Sequence, residues 1–120
     1  MKRQATGALG EKLAADFLKQ KGYEILAANY RCPDGEIDII TKHRNTLVFV
    51  EVRTRSSRKF GTPEESITDT KKEKLRALAE RYYQEHADLP DNWRIDVVAV
   101  EMGRGGKIKR LEIIENAVEG

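Results

Sequence analysis

The order of elements read along the chain predicts a single α/β domain, with a mixed sheet of about five strands flanked by two main helices. Three observations carry this. A helix, three strands, a second helix and two further strands follow one another within 120 residues, a length that suits one domain. The third strand, "LVFVEVR", is apolar on both of its alternating faces, the pattern of a central strand covered on each side. Its connection to the second strand is only His43 to Asn45, which makes the two an antiparallel hairpin.

The first helix is expected over about Thr6 to Lys21. Leu9, Leu13, Phe17 and Leu18 recur with helical spacing and Ala14 adds to the stripe, while Gly22 suits the left-handed residue that ends a helix. Tyr23 to Asn29 reads as the first strand, and Tyr30 to Asp34, which holds Pro33, as a turn. Glu36 to Lys42 is the second strand and Thr46 to Arg53 the third. Alternation places Glu36, Asp38 and Ile40 on one face, and Leu47, Phe49, Glu51 and Arg53 on one face of the next strand. Arg55 to Gly61 is a polar loop. "TPEE", Thr62 to Glu65, has a Thr cap, Pro after it and Glu three residues on, and predicts one short helical turn. The long second helix runs from about Thr68 to His86 with Leu75, Leu78, Ala79 and Tyr82 as its apolar stripe. "LPDN" breaks the chain before a fourth strand, Trp93 to Glu101, and a fifth, Lys109 to Ile114.

Composition narrows the classes of function. Hydrophobic residues are 39% and charged residues 35% of the chain, so it folds but carries a heavily charged surface. No apolar run approaches the roughly 20 residues of a membrane span. The stretch Met1 to Gly10 carries basic residues with no apolar signal segment after them, and a cytoplasmic protein is the expectation. Cys32 is the only cysteine, which rules out an intrachain disulfide, and with only His43 and His86 beside it a structural zinc site is disfavoured. Net charge is +2, but its distribution is uneven. From Lys42 to Lys59 there are six basic residues against Glu51 alone, and a second basic run, Arg104, Lys107, Lys109 and Arg110, follows near the C-terminus.

The unusual feature is acid inside apolar strands. "GEIDII" carries Glu36 and Asp38, and "LVFVEVRTR" carries Glu51 after four apolar residues. A buried carboxylate costs several kcal/mol unless it is paired or bound. The hairpin can set Asp38 and Glu51 on the same face of the sheet, with Arg53 pointing the same way and Glu11 brought by the first helix. Converging carboxylates of this kind suit a hard divalent cation, Mg2+ or Mn2+, which takes oxygen ligands. The basic residues around them suit a nucleic-acid backbone.

At these residues the sequence resembles known proteins. Asp38 followed by Glu51-Val52-Arg53 is similar to the Asp…(Asp/Glu)-x-Lys signature of the restriction-endonuclease-like nucleases, and Glu11 sits where archaeal Holliday-junction resolvases of that fold carry a helix glutamate. "GALGEKLAADFLKQKGYEILAANYR", "GEIDII", "LVFVEVRTR", "FGTPEESITDTKKEKLRALAERY" and "WRIDVVAV" resemble, in the same order, the YraN family of bacterial proteins. The resemblance implies one nuclease-like domain over residues 1–120 and a divalent-metal-dependent endonuclease acting on DNA, branched DNA included. Asp38, Glu51 and Arg53 would be catalytic. Asp38, Glu51 and Glu11 would hold the metal, and Arg55, Arg58, Lys59, Lys71 and Lys72 would bind nucleic acid. Resolvases of this fold act as dimers, so the analogy extends to a homodimer. The departure is Arg53, where the signature expects lysine. Arginine supplies charge and donors but cannot deprotonate, so Lys71 or Lys72 at the start of the long helix is the candidate substitute.

Plainer readings compete. Asp38 and Glu51 can form an internal ion pair with Arg53 or Arg94, and Glu36 can pair with a loop arginine. Asp96, in "RIDVVAV", fits a structural partner for a buried arginine. Tyr82 and Tyr83 fit core and rim, and Gly7 and Gly10 fit close packing. Three functions follow: a metal-dependent nuclease, a nucleic-acid-binding module that has lost cleavage, and a protein-interaction module whose acids are structural.

Overall fold

The computed structural model describes residues 2–118, with side chains from Gly7 onward. Helix α1 spans Lys2–Gln20, followed by β1 (Glu24–Cys32), β2 (Gly35–His43) and β3 (Thr46–Arg55). A 3-10 turn (Glu64–Ser66) leads into α2 (Asp69–Glu85), and β4 (Asn92–Met102) and β5 (Ile108–Ile114) complete the chain. All five strands form one sheet in the order β1-β2-β3-β4-β5. β3 and β4 pair in parallel from Thr46↔Asn92 to Arg55↔Glu101, and the other neighbours are antiparallel. The parallel pair requires a crossover, which α2 supplies.

The two helices cover opposite faces of the sheet. Ala14 and Leu18 of α1 pack with Val48, Val50, Val98 and Val100. Leu75, Leu78 and Tyr82 of α2 pack with Leu47, Phe49 and Ile95. β3 is therefore buried on both sides, as its doubly apolar sequence predicts: Leu47, Val48, Phe49 and Val50 are all at most 2% exposed. No helix among the described residues is long and apolar enough to cross a membrane.

Local chemistry sets the ends. The C-terminus of α1 is closed by Gly22 N–H on the Lys19 carbonyl and Tyr23 N–H on the Leu18 carbonyl, with Gly22 at φ +90°, the paired bonds of a glycine-terminated helix. Arg44 and Asn45, both at positive φ, make the tight β2–β3 turn. Thr62 N–H donates to Glu65 Oε1 while Thr62 Oγ1 receives Glu65 N–H, the reciprocal box expected of "TPEE". Thr68 caps α2 by accepting from Lys71 N–H.

Three expectations need correction. α1 begins at Lys2, before Thr6, since the intervening residues are good helix formers and nothing there breaks the turn. Its buried line is Gly10, Ala14 and Leu18, whereas Leu9 is 42% exposed. Small residues face the sheet because α1 lies close against it. Finally, Tyr30 to Cys32 belong to β1, and the turn shrinks to Pro33 and Asp34. Tyr30 is anchored in the α2-side core, edge-on to Tyr82 at 5.1 Å between ring centroids, which keeps the chain extended.

Gly10 marks the point of closest approach. A Cβ there would collide with Thr54 Oγ1, an overlap that forces movement. Gly10→Ala is expected to cost about 1–3 kcal/mol by overpacking, and Thr54→Ala in the same chain is expected to restore most of it. Thermal melts of the single and double variants check this, and equal losses in both would refute it.

Candidate functional site

Strand parity decides which acids meet. Ile37 and Ile40 both pack on the α2 side, and Ile39 packs on the α1 side. Strict alternation would separate Ile37 from Ile40, so β2 changes parity once between them. Facing this step in β1, Asn29 lies between the pairs Ala28↔Ile39 and Tyr30↔Ile37 with φ 53°, a left-handed conformation that Asn tolerates better than most residues. Glu36 and Asp38 are thereby turned to α1. The expectation that Glu36, Asp38 and Ile40 share one face is corrected: the two acids do, and Ile40 faces away.

On the α1 side the strands meet Glu11. Glu11, Glu36 and Asp38 each offer a carboxylate oxygen, and these lie within 4.8 Å of one another. Asn29, with its amide oriented to match donors to acceptors, donates to Glu11 Oε1 at 3.2 Å and Glu36 Oε1 at 3.0 Å. Arg31 stands 3.5 Å from Glu36. Burial raises the pKa of Glu11, and the charges of Asp38 and Glu36 raise it further. A groove of about 320 Å³ runs beside the cluster, lined by Glu11 and Asp38 together with Lys12, Ala15 and Ile25.

Asp38 also links this cluster to Glu51. The β2–β3 ladder covers Ile39↔Val50 to His43↔Thr46. Beyond it, Asp38 Oδ2 accepts from Val52 N–H at 2.8 Å, so a side chain replaces a ladder partner. Glu51, only 4% exposed, points to the α2 side in line with Phe49, which corrects the expectation that it shares a face with Asp38: the two meet at the end of the β2–β3 ladder, with Asp38 turned to α1. Its pKa is pushed up to about 7, first by burial and then by the Asp38 carboxylate and a hydrogen bond shared with it. Lys71 Nζ at 3.8 Å and Arg53 Nε at 3.6 Å from Glu51 Oε2 pull the other way. Neither is close enough for a hydrogen bond. Arg53 Nε is buried with no hydrogen-bond partner among the described residues.

The structure thus brings together Glu11, Asp38, Glu51, Arg53 and Lys71, and adds Glu36 and Asn29. Glu36 does meet an arginine, as the plainer reading expected, but it also faces Glu11. Its position two residues before Asp38 was the available signal, since residues i and i+2 share a face. The role of Asn29 had no signal in the sequence, because it depends on a break in alternation. Arg94 does not reach the acids. It donates to Asp96 at 2.9 Å, and Asp96, fully buried, also accepts from Tyr23 and from Asn116 N–H. That is the structural role expected for Asp96.

The basic residues separate into bound and free. Arg58 is clamped to Glu101 by bonds of 2.7 and 2.8 Å. Arg110, of the second basic run, bridges Glu64, Glu101 and Glu112. Arg55, Lys59 and Lys72 make no ion pair among the described residues.

Comparison with known proteins completes the description. Residues 10–100 match the model of the Uncharacterised protein family UPF0102. A UPF0102 protein of Roseiflexus castenholzii is 49% identical over 120 residues, covering 98% of this chain and 96% of its own. A UPF0102 protein of Caldicellulosiruptor saccharolyticus is 46% identical, covering 98% and 99%. One from Moorella thermoacetica is 45% identical, covering 98% of each.

Proposed function

The chain belongs to the UPF0102 family, the YraN family of the sequence resemblance, and from that premise we propose that it is a divalent-cation-dependent DNA nuclease with a restriction-endonuclease-like fold. The observation that carries this reading is the convergence of Glu11 from α1 with Glu36 and Asp38 from β2, with Glu51, Lys71 and Arg53 adjoining. The donor set is all oxygen and partly buried, which fits Mg2+ or Mn2+ and not the sulfur and imidazole donors of structural zinc. Glu11, Asp38 and Glu36 would hold the cation, with Glu51 behind Asp38. When bound, the cation supplies Lewis acidity toward a phosphodiester and an attacking water.

The remaining chemistry falls to the chain's own groups. Glu51, with a pKa of about 7, holds or releases a proton near neutrality, the range in which a carboxylate works as a general base. Arg53 stays charged and presents an unpartnered Nε–H, a donor that a phosphate oxygen satisfies as negative charge builds. Lys71 brings an ammonium to Glu51 from the first turn of α2. It supplies from the helix the lysine that the nuclease signature expects at Arg53. Arg55, Lys59 and Lys72 are free to hold the backbone, with Arg58 steadying the loop.

The test is cleavage of linear, single-stranded and four-way-junction DNA in Mg2+ or Mn2+, beside calorimetry with Mn2+. Cutting by the wild type is expected, and Lys71→Ala is expected to slow it about 100-fold. A second reading, a binding module without cleavage, is favoured by Arg53 in the lysine position. It takes over if Mn2+ and DNA bind but neither the wild type nor Arg53→Lys cuts any of these substrates. Absence of Mn2+ binding removes the metal-dependent reading altogether.

A further inference from the structure

Phe60 is 89% exposed, against 46% for Ile108 and 42% for Leu9 and Leu26 among large hydrophobic side chains. It forgoes nearly all the burial energy available to a Phe, about 1.5–3 kcal/mol. The segment that carries it is built, not loose. Gly61 N–H donates to the Arg58 carbonyl at 3.0 Å, closing a tight turn whose third residue is Phe60. On the entry side the Arg58 guanidinium is held by both oxygens of Glu101. On the exit side Thr62 is locked to Glu65. Glu101 is braced in turn by Arg110, which also grips Glu64. The ring is therefore presented to solvent from a turn fixed at both ends.

Charge says what the ring awaits. Lys59 Nζ lies 5.6 Å from the Phe60 ring centroid, and Arg55 is the last residue of β3, where the strand leads into this loop. Neither cation is neutralised by an ion pair among the described residues. The other side chains of the turn, Arg58 and Lys59, are charged, so the turn itself offers no apolar patch beyond the ring. A protein interface would need such a patch. A nucleobase needs only one ring face and a cation for its phosphate.

We propose that Phe60 is a stacking platform for an unpaired base of DNA whose backbone is held by Lys59 and Arg55. The proposal rests on the nuclease reading and deepens it, because it names the substrate class: duplex DNA interrupted by an unstacked nucleotide, such as a bulge, flap or junction. Perfect duplex offers no free base face and engages the cations alone.

Fluorescence anisotropy with labelled duplex and with the same duplex carrying a bulge tests this, in Ca2+ to hold cutting in check. The wild type is expected to prefer the bulged DNA. Phe60→Ala should lower affinity for it about 5- to 100-fold and leave duplex affinity unchanged. Phe60→Trp should keep the preference, with indole fluorescence quenched on bulged DNA only, and Phe60→Leu should lose it. If the wild type binds duplex but Phe60→Ala binds bulged DNA equally well, the platform is refuted and the nuclease reading survives. If the wild type binds neither DNA, both fail. A smaller sedimenting species for Phe60→Ala than for the wild type would make this turn a contact between copies of the chain and overturn the proposal.

Discussion

Asp38→Asn is expected to weaken Mn2+ binding by about 100-fold or more and to remove metal-dependent cleavage while the fold is retained. Among the acids, Asp38 alone belongs to both halves of the site. It offers an oxygen to the trio with Glu11 and Glu36, and after burial its charge is the largest cause of the raised pKa of Glu51. Loss of a group that merely orients a ligand costs 10- to 100-fold in metal affinity, so loss of a charged ligand should cost at least the upper figure. The fold survives because the Asn oxygen can still accept from Val52 N–H, the bond that Asp38 Oδ2 makes at 2.8 Å. Glu36→Gln should cost less. Its side chain is 37% exposed and its charge is already partly answered by Arg31 at 3.5 Å. Calorimetry, cleavage and melting on the same preparations read all three effects. Equal Mn2+ affinity in the wild type and Asp38→Asn would dismiss the carboxylate cluster as a metal site.

How much of this could be read from the sequence depends on what kind of signal each residue leaves. The doubly apolar third strand gave its own burial and the cover of two helices, because alternation along a strand and the covering of parallel neighbours are strong local rules. Glu11, Asp38 and Glu51 were legible as charges in apolar company, and Asp96 as a structural acid. The site's handedness was not legible. Asn29 at φ 53° and the single parity change in β2 turn Glu36 and Asp38 toward α1, and no periodic pattern announces a break in its own period. Arg58 counted with the free cations of its run until the structure tied it to Glu101, forty-three residues on, a pairing that only the parallel β3–β4 register brings about. Phe60 read as one residue of a polar loop, since exposure depends on how the loop is held.

The second large effect is on stability. Glu51→Gln is expected to raise the melting temperature of the metal-free protein at pH 8 by roughly 10 °C and to leave it unchanged near pH 4. Glu51 titrates at about 7 when folded, against an ordinary value of 4.5, chiefly because burial disfavours the carboxylate and Asp38 repels it. Between those values the folded protein keeps a proton that the unfolded chain has released. The contribution of Glu51 to stability is therefore complete below about pH 4.5, declines as pH rises, and is gone above about pH 7, a loss of about 3 kcal/mol. Glutamine has no proton to lose, so the variant escapes this decline. Lys71 and Arg53 lose an ion-pair partner in the exchange, but their side chains are 33% and 27% exposed and keep part of their hydration. Excess Mn2+ should raise the melting temperature of both proteins at pH 8, since Glu11, Glu36 and Asp38 are intact in each. The rival reading, in which Glu51 exists to pair with Arg53, requires the opposite sign. If the metal-free wild type melts above Glu51→Gln at pH 8, the carboxylate is a structural partner of its two cations and the strand was not destabilised to make a site.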